Sequence, residues 1–291
     1  MIPDSFYKYM SIDTARIVLE SMKLRWSCPS KFNDLSELER MPEFIEPLTE
    51  CKNEYMKRII DILFSGGLVN NLFSPNTTLL LALGEGAKAK GLTKEELIIL
   101  LNDTKFGDID FERGLREYTK KFNDGSLRIL CLSEEPENEV MWAHYAQEHT
   151  GCMFQFNPLI GSDSPFTEAV KVNYSDCLKV LGSPVDFLLY GETSELKKKT
   201  TDFIFYTKSL KWSYEKEWRL MTTRRGDLDR HNDFYFYKEE LASVTFGVKT
   251  DKNLQDNLSK YISGHYPDCK LYKAYVKRGK LVRKALSSNL C

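Results

Sequence analysis

The spacing of apolar residues changes twice along the chain, and each change predicts a boundary in the fold. In YKYMSIDTARIVLESMKLRWSCP (7–29) and the phenylalanine before it, the apolar run around Phe6–Tyr9 predicts a short strand. Ser11 then caps a helix whose apolar stripe is Ala15, Val18, Leu19 and Met22. A second strand follows at Leu24–Cys28, closed by Pro29 and the turn-forming Asn33-Asp34 pair. From about residue 36 to 125 the period becomes helical, in PEFIEPLTECKNEYMKRIIDILF, in TKEELIILL with its Thr93/Glu96 capping box, and in DIDFERGLREYTKKF. Gly66-Gly67 and the Gly84, Gly86 and Gly91 region separate these helices.

After Asp124-Gly125 short apolar runs return at RILCLS (128–133), GCMFQF (151–156) and EAVKVNY (168–174), with a helical MWAHYAQEH between the first two. Helices are expected at about 176–190 and 194–210, then KWSYEKEWRLM (211–221) as a strand. FYFY (234–237), SVTFGV (243–248), a helix near 251–263 and a strand CKLYKAYV (269–276) complete the pattern. Strands at both ends and helices in the middle predict an α+β protein, a single domain over 1–291 with a helical insertion at about 40–125.

Composition narrows the class without naming a function. Hydrophobic residues make up 42% and charged residues 29%, as in an ordinary globular protein. The 41 Lys plus Arg nearly cancel the 42 Asp plus Glu, so net charge neither demands nor excludes a nucleic-acid partner. The seven cysteines are widely spaced, with no C-x-x-C pair for zinc or redox chemistry. No apolar run of about 18 residues occurs and the amino terminus lacks a signal-peptide pattern, which predicts a cytoplasmic protein with no membrane partner.

Candidate chemistry is confined to a few stretches. Gly84-Glu85-Gly86-Ala87-Lys88-Ala89 matches G-x-G-x-x-A, but Gly91 and the Thr93 cap end the supposed phosphate-binding helix after one turn, which favours an interhelical loop. A P-loop, a nucleophile elbow and H-E-x-x-H are absent from the sequence, and His144 and His149 are five apart, off a common helical face, so no metal site is expected. In MWAHYAQEHTG, His144 or Tyr145 is a site group or the aromatics simply fill core. Ser27, Asn33 and Asp34 form a polar loop cluster that holds a ligand or makes an Asx-turn.

KWSYEKEWRLM is the strongest candidate. As a strand it places Ser213, Glu215, Glu217 and Arg219 on one face, with Trp212, Tyr214, Trp218 and Leu220, and Lys216 among them, on the other. Two carboxylates of a Glu-x-Glu pair then lie about 7 Å apart on one side of the sheet. Their repulsion calls for a cation or donor. Arg219 supplies one in a surface ladder, whereas a rigid, aromatic-backed strand suits a pre-organised site.

Phe6–Tyr9, the W-S-C-P-S-K-F-N-D run (Trp26–Asp34), L-C-L-S-E with M-W-A-H-Y-A and H-x-G (Leu130–Gly151), and K-S-L-K-W-S-Y-E-K-E-W-R-L (Lys208–Leu220) together resemble a bacterial family known as domain of unknown function 2971. The order of parts also resembles an ADP-ribosyltransferase, with a polar residue on a first strand, a serine on a middle strand and a late Glu-x-Glu. That resemblance implies a cleft between two small sheets that holds NAD⁺. It makes Glu217 the group that holds the ribose hydroxyl and stabilises the sugar cation, and Glu215 the group that activates the acceptor. Ser133 matches the middle-strand serine, and Tyr7, Lys8 or Tyr9 the first-strand position, where such transferases carry Arg or His. Lysine's single amine does not make arginine's bidentate contact.

The resemblance therefore implies an enzyme that cleaves NAD⁺ and modifies a macromolecular acceptor, of the kind used as toxins or phage-defence effectors. Lys277, Arg278, Lys280, Arg283 and Lys284 beside KLYKAYV suit a nucleic-acid acceptor or a solvated tail. Two rivals stand beside it: a non-catalytic module that binds a nucleotide or protein, and a metal-independent nucleic-acid-processing enzyme using Glu215, Glu217 and His144.

Overall fold

The computed structural model describes residues 2–65, 72–102, 111–121, 126–177, 179–223 and 231–286, so the expected breaks at Gly66-Gly67 and Asp124-Gly125 lie outside the described residues. The chain opens with β1 (Phe6–Met10), α1 (Ile12–Ser21) and β2 (Lys23–Ser27), then runs through α2 (Lys52–Ser65), α3 (Pro75–Ala89), α4 (Lys94–Asn102) and α5 (Phe111–Lys121). Next come β3 (Leu127–Ser133), α6 (Glu139–Tyr145), β4 (Cys152–Phe156), β5 (Val170–Lys171), β6 (Asn173–Tyr174), α7 (Pro184–Tyr190), α8 (Ser194–Tyr206) and β7 (Thr207–Lys208). A 3₁₀ turn over Leu210–Glu215 leads into β8 (Glu217–Thr223), β9 (His231–Tyr235), β10 (Leu241–Phe246), α9 (Lys252–His265), β11 (Lys270–Lys277) and β12 (Lys280–Ala285). The class is α+β.

Two compact units emerge: Met1–Glu37 with Lys121–Asp176 and Tyr206–Cys291, and Leu38–Lys120 with Cys177–Phe205. The helical block expected at about 40–125 is thus completed by a later segment carrying α7 and most of α8. Its core is Tyr55, Met56, Ile59, Ile60 and Leu63 from α2, with Leu81 from α3 and Val185, Leu188 and Leu189 from α7. Gly84 and Gly86 lie inside α3, neither in a phosphate-binding turn nor in a loop between helices. A Cβ on Gly84 would collide with Leu63 Cδ1, so the missing side chain is what lets α2 and α3 approach. The break comes later, at Gly91 with φ +88.

The first unit is built on a mixed sheet of order β12-β11-β10-β4-β1-β3-β2-β9, with β8 pairing β3 and β5. The pairings are antiparallel except β10 with β11. Both faces are covered. Phe6, Met10, Leu130, Leu132, Trp218 and Leu220 pack with α1 and α9, while Tyr7, Tyr9 and Met153 pack with Met141 and Trp142 of α6. Ser11 caps α1 by accepting from the Thr14 N–H, and Met22 in the left-handed region ends it.

Pairing within this sheet is uneven. β3 runs alongside β8 from Leu127/Thr223 to Ser133/Glu217, and β1 alongside β4 from Phe6/Phe156 to Met10/Cys152. By contrast β1 meets β3 at Tyr7/Ser133, and β2 meets β3 at Ser27/Ile129. Where a pair of small sheets is expected, one continuous path is pinned at single residue pairs and parts around them. The Lys8 ammonium supplies a donor in this parting, to the Cys131 carbonyl at 2.8 Å.

Candidate functional site

The Glu-x-Glu segment is not one strand. Leu210–Glu215 form a 3₁₀ turn capped by Ser209, and Lys216 turns the chain at φ 43 before β8 begins at Glu217. Trp218 and Leu220 enter the core as alternation predicts, whereas Trp212 and Tyr214 lie on the turn, their ring centroids 6.1 Å apart. The two acids converge nonetheless, because both reach the same ammonium. Lys208 Nζ lies 2.6 Å from Glu215 Oε2 and 3.2 Å from Glu217 Oε2.

From this lysine a chain of alternating charge runs in both directions. Arg219 Nε donates to Glu217 Oε1 at 2.7 Å, and Arg219 Nη1 and Nη2 grip Glu37 at 2.6 and 3.0 Å. On the other side Tyr145 Oη donates to Glu215 Oε1 at 2.5 Å. Five charged side chains, all buried, therefore form one network of three carboxylates and two cations. Such a network is one positive charge short.

The shortfall falls unequally. Burial alone would raise Glu217, but the Arg219 and Lys208 charges and the guanidinium hydrogen bonds outweigh it and hold that carboxyl far below the usual carboxylate range. Glu215 is pushed up by burial, only partly offset by Lys208 and made worse by Glu217. Glu37 is likewise raised by burial against the Arg219 charge. Burial opposes a charged Lys208, yet Glu217 and Glu215 together keep it protonated beyond the ordinary lysine range. Tyr145, raised by burial and then by the Glu215 charge, remains a neutral donor.

A cavity of about 200 Å³ opens beside this network, where β1, β2 and β3 part. Tyr7, Lys8 and Tyr9 come from β1, Arg25 and Ser27 from β2, Cys131 and Ser133 from β3, and Met141 and Tyr145 from α6. Lys31, Phe32 and Asn33 from the following loop, Lys208, Glu215 and Glu217 complete the wall. Nine of the sequence-expected residues therefore meet here: Tyr7, Lys8, Tyr9, Ser27, Asn33, Ser133, Tyr145, Glu215 and Glu217.

Two expected residues stand apart. His144 is exposed, with Nδ1 3.2 Å from Tyr214 Oη, and it does not line the cavity. Asp34 Oδ1 accepts from the Ser36 N–H and hydroxyl, the Asx-turn alternative.

Several lining residues are committed to the frame. Ser133 Oγ donates to the Glu215 carbonyl at 2.7 Å and accepts from the Glu135 N–H, and Tyr9 Oη donates to the Glu135 carbonyl. Asn138 caps α6 and donates to the Tyr214 carbonyl at 2.7 Å, which fixes the helix that carries Tyr145 against the 3₁₀ turn that carries Glu215. Sequence reasoning missed Lys208, Arg219's grip on Glu37, Arg25, Lys31 and Cys131. The local signals were Lys208 inside K-S-L-K-W and Cys131 two positions before Ser133 on the same strand face.

With this geometry in place, comparison with known proteins adds one family. Residues 141–220 match a family model described as a protein of unknown function (DUF2971). That span carries Tyr145, Lys208, Glu215, Glu217 and Arg219. No curated protein and no solved structure matches the chain. No described helix is long and apolar enough to cross a membrane.

Proposed function

We propose that the cavity binds a nicotinamide nucleotide and cleaves its nicotinamide–ribose bond, an ADP-ribosyltransferase-like reaction passed on to a macromolecular acceptor or to water. The observation that carries this reading is the buried Glu215 carboxylate on the cavity wall, in a network with one more negative than positive charge. Rupture of the C1′–N1 bond sends its electron pair to the nicotinamide nitrogen and leaves positive charge on the sugar. A fixed negative charge stabilises that state more than the ground state.

The resemblance alone gives the sugar cation to Glu217 and the acceptor to Glu215. Arg219 donates to both oxygens of Glu217, whereas Glu215 is held by Lys208 and Tyr145 without a guanidinium, so Glu215 takes both roles here: it faces the sugar cation, then accepts the proton that the attacking hydroxyl or amine releases as the new bond to C1′ forms. Glu217 is a positioning residue that holds Lys208. Tyr145, a neutral donor, orients Glu215.

Nicotinamide release from NAD⁺ tests this. Glu215→Gln is expected to lower kcat by about 10²-fold or more with the fold intact. Release should also fall toward acid, from a pH above the ordinary glutamate range, because Glu215 must be ionised to act. Wild-type release no faster than a protein-free blank ends the catalytic reading. In that case thermal stabilisation by NAD⁺ would favour a binding module with the same cavity.

A further inference from the structure

The hairpin of β11 and β12 has an outward face that the cavity chemistry does not use. Its inward face is fixed by Ala274 and Leu281, which pack with Tyr7, Tyr9 and Trp142. On the other face Lys273 stands opposite Lys284, Tyr275 opposite Val282, and Lys277 opposite Lys280. Like charges directly across a ladder destabilise it unless something else neutralises them. Neither Lys277, Lys280 nor Lys284 has an ion-pair partner among the described residues.

The sequence sharpens this. KLYKAYVKRGKLVRKA (270–285) holds seven cations and no carboxylate, in a chain whose net charge is −1. At its tip Arg278 (φ 52) and Gly279 (φ +75) make a two-residue turn with both residues left-handed, which adds a further exposed cation. At its base Lys273 Nζ donates to the Thr250 carbonyl at 3.3 Å, with burial and the Lys252 charge pushing it below the ordinary lysine range.

We infer that this face binds single-stranded nucleic acid. Lys273, Tyr275 and Lys277 alternate cation, ring, cation along one strand, about 7 Å apart on the same side. A phosphate backbone would neutralise the opposed lysines, and the exposed Tyr275 ring gives a base a surface to stack on. An anionic membrane would satisfy the charges, but the face offers no row of large apolar side chains to enter a bilayer. The inference goes beyond the cavity reading and stands without it.

The test is fluorescence anisotropy of a labelled oligothymidylate of about 20 nucleotides with the full chain, across a salt titration. Four phosphate contacts predict roughly 50-fold weaker binding between about 50 and 200 mM salt. The triple variant Lys277→Ala, Lys280→Ala, Lys284→Ala is expected to lose at least about tenfold in affinity and most of the salt slope. The matching triple Lys→Arg variant should bind like wild type, which separates lost charge from lost fold. Tyr275→Ala should weaken binding about tenfold at an unchanged slope. The inference is overturned if wild type does not bind at the lowest salt, if the triple Ala variant keeps its affinity and slope, if Tyr275→Ala changes nothing, or if phosphatidylserine vesicles bind and the oligonucleotide does not.

Discussion

Glu215 and Glu217 are two positions apart, share one lysine and are both raised by burial, yet they shift in opposite directions overall, because only Glu217 also has a guanidinium. The depressed Glu217 contributes stability that is fully present above the unfolded value, about 4.5, and is lost as pH falls from there toward its folded value. The raised Glu215 contributes stability that is present below about 4.5 and is lost as pH rises through its folded value. Urea unfolding of Glu217→Gln should therefore show a deficit of about 3–5 kcal/mol near neutrality, since Arg219 is left under-compensated in the interior. That deficit should hold down to about pH 4.5 and narrow only below it. A gap that stays constant into acid would mean that Glu217 is not the ionised partner of Arg219. At this scale the sequence revealed the paired acids and the tyrosines. It hid their neutralisation, since Glu37 lies 182 positions from Arg219 in a polar loop with no local pattern to mark it.

Among the elements, the long periodic ones were legible and the short linking ones were not. Ser11 before α1 and the Thr93/Glu96 box before α4 form as their side chains dictate. Residues 211–221 alternate polar and apolar well enough to pass for one strand, yet a 3₁₀ turn and a left-handed Lys216 deliver the same convergence of acids by another route. Charge disguised β12, whose Leu281 is a core residue inside what reads as a basic tail. Helix α3 offers a sharper test, because its two glycines share a helix but not a neighbourhood. Gly86 has open space where a Cβ would go, and Gly84 has Leu63. Gly86→Ala should raise stability by about 0.5–1 kcal/mol through helix propensity alone. Gly84→Ala should instead lower it by about 1 kcal/mol or more, since the buried Leu63 must leave its packed position. Thermal melts of the two variants with midpoints shifted in the same direction would refute the packing argument.

For the molecule as a whole, the decisive fact is that each unit has its own apolar core, and the chain's tryptophans report on only one of them. Trp26, Trp142, Trp212 and Trp218, the four tryptophans, all belong to the sheet unit. Most of the described helix belongs to the other. Tryptophan emission therefore follows the sheet unit, whereas far-ultraviolet circular dichroism is weighted toward the helical one. Ile59 is fully buried at the centre of the helical core, among Tyr55, Met56, Leu63 and the α7 leucines. Truncation to alanine removes its transfer energy and leaves a cavity, together about 2–5 kcal/mol. If the two cores melt as separate cooperative units, Ile59→Ala shifts the dichroism midpoint downward and leaves the tryptophan curve where it was. Equal shifts in both signals would show that 1–291 unfolds as one cooperative domain despite its two cores. The same pair of signals then assigns any loss of nicotinamide release in Ile59→Ala: with the tryptophan curve unmoved, that loss would have to arise outside the cavity's own residues.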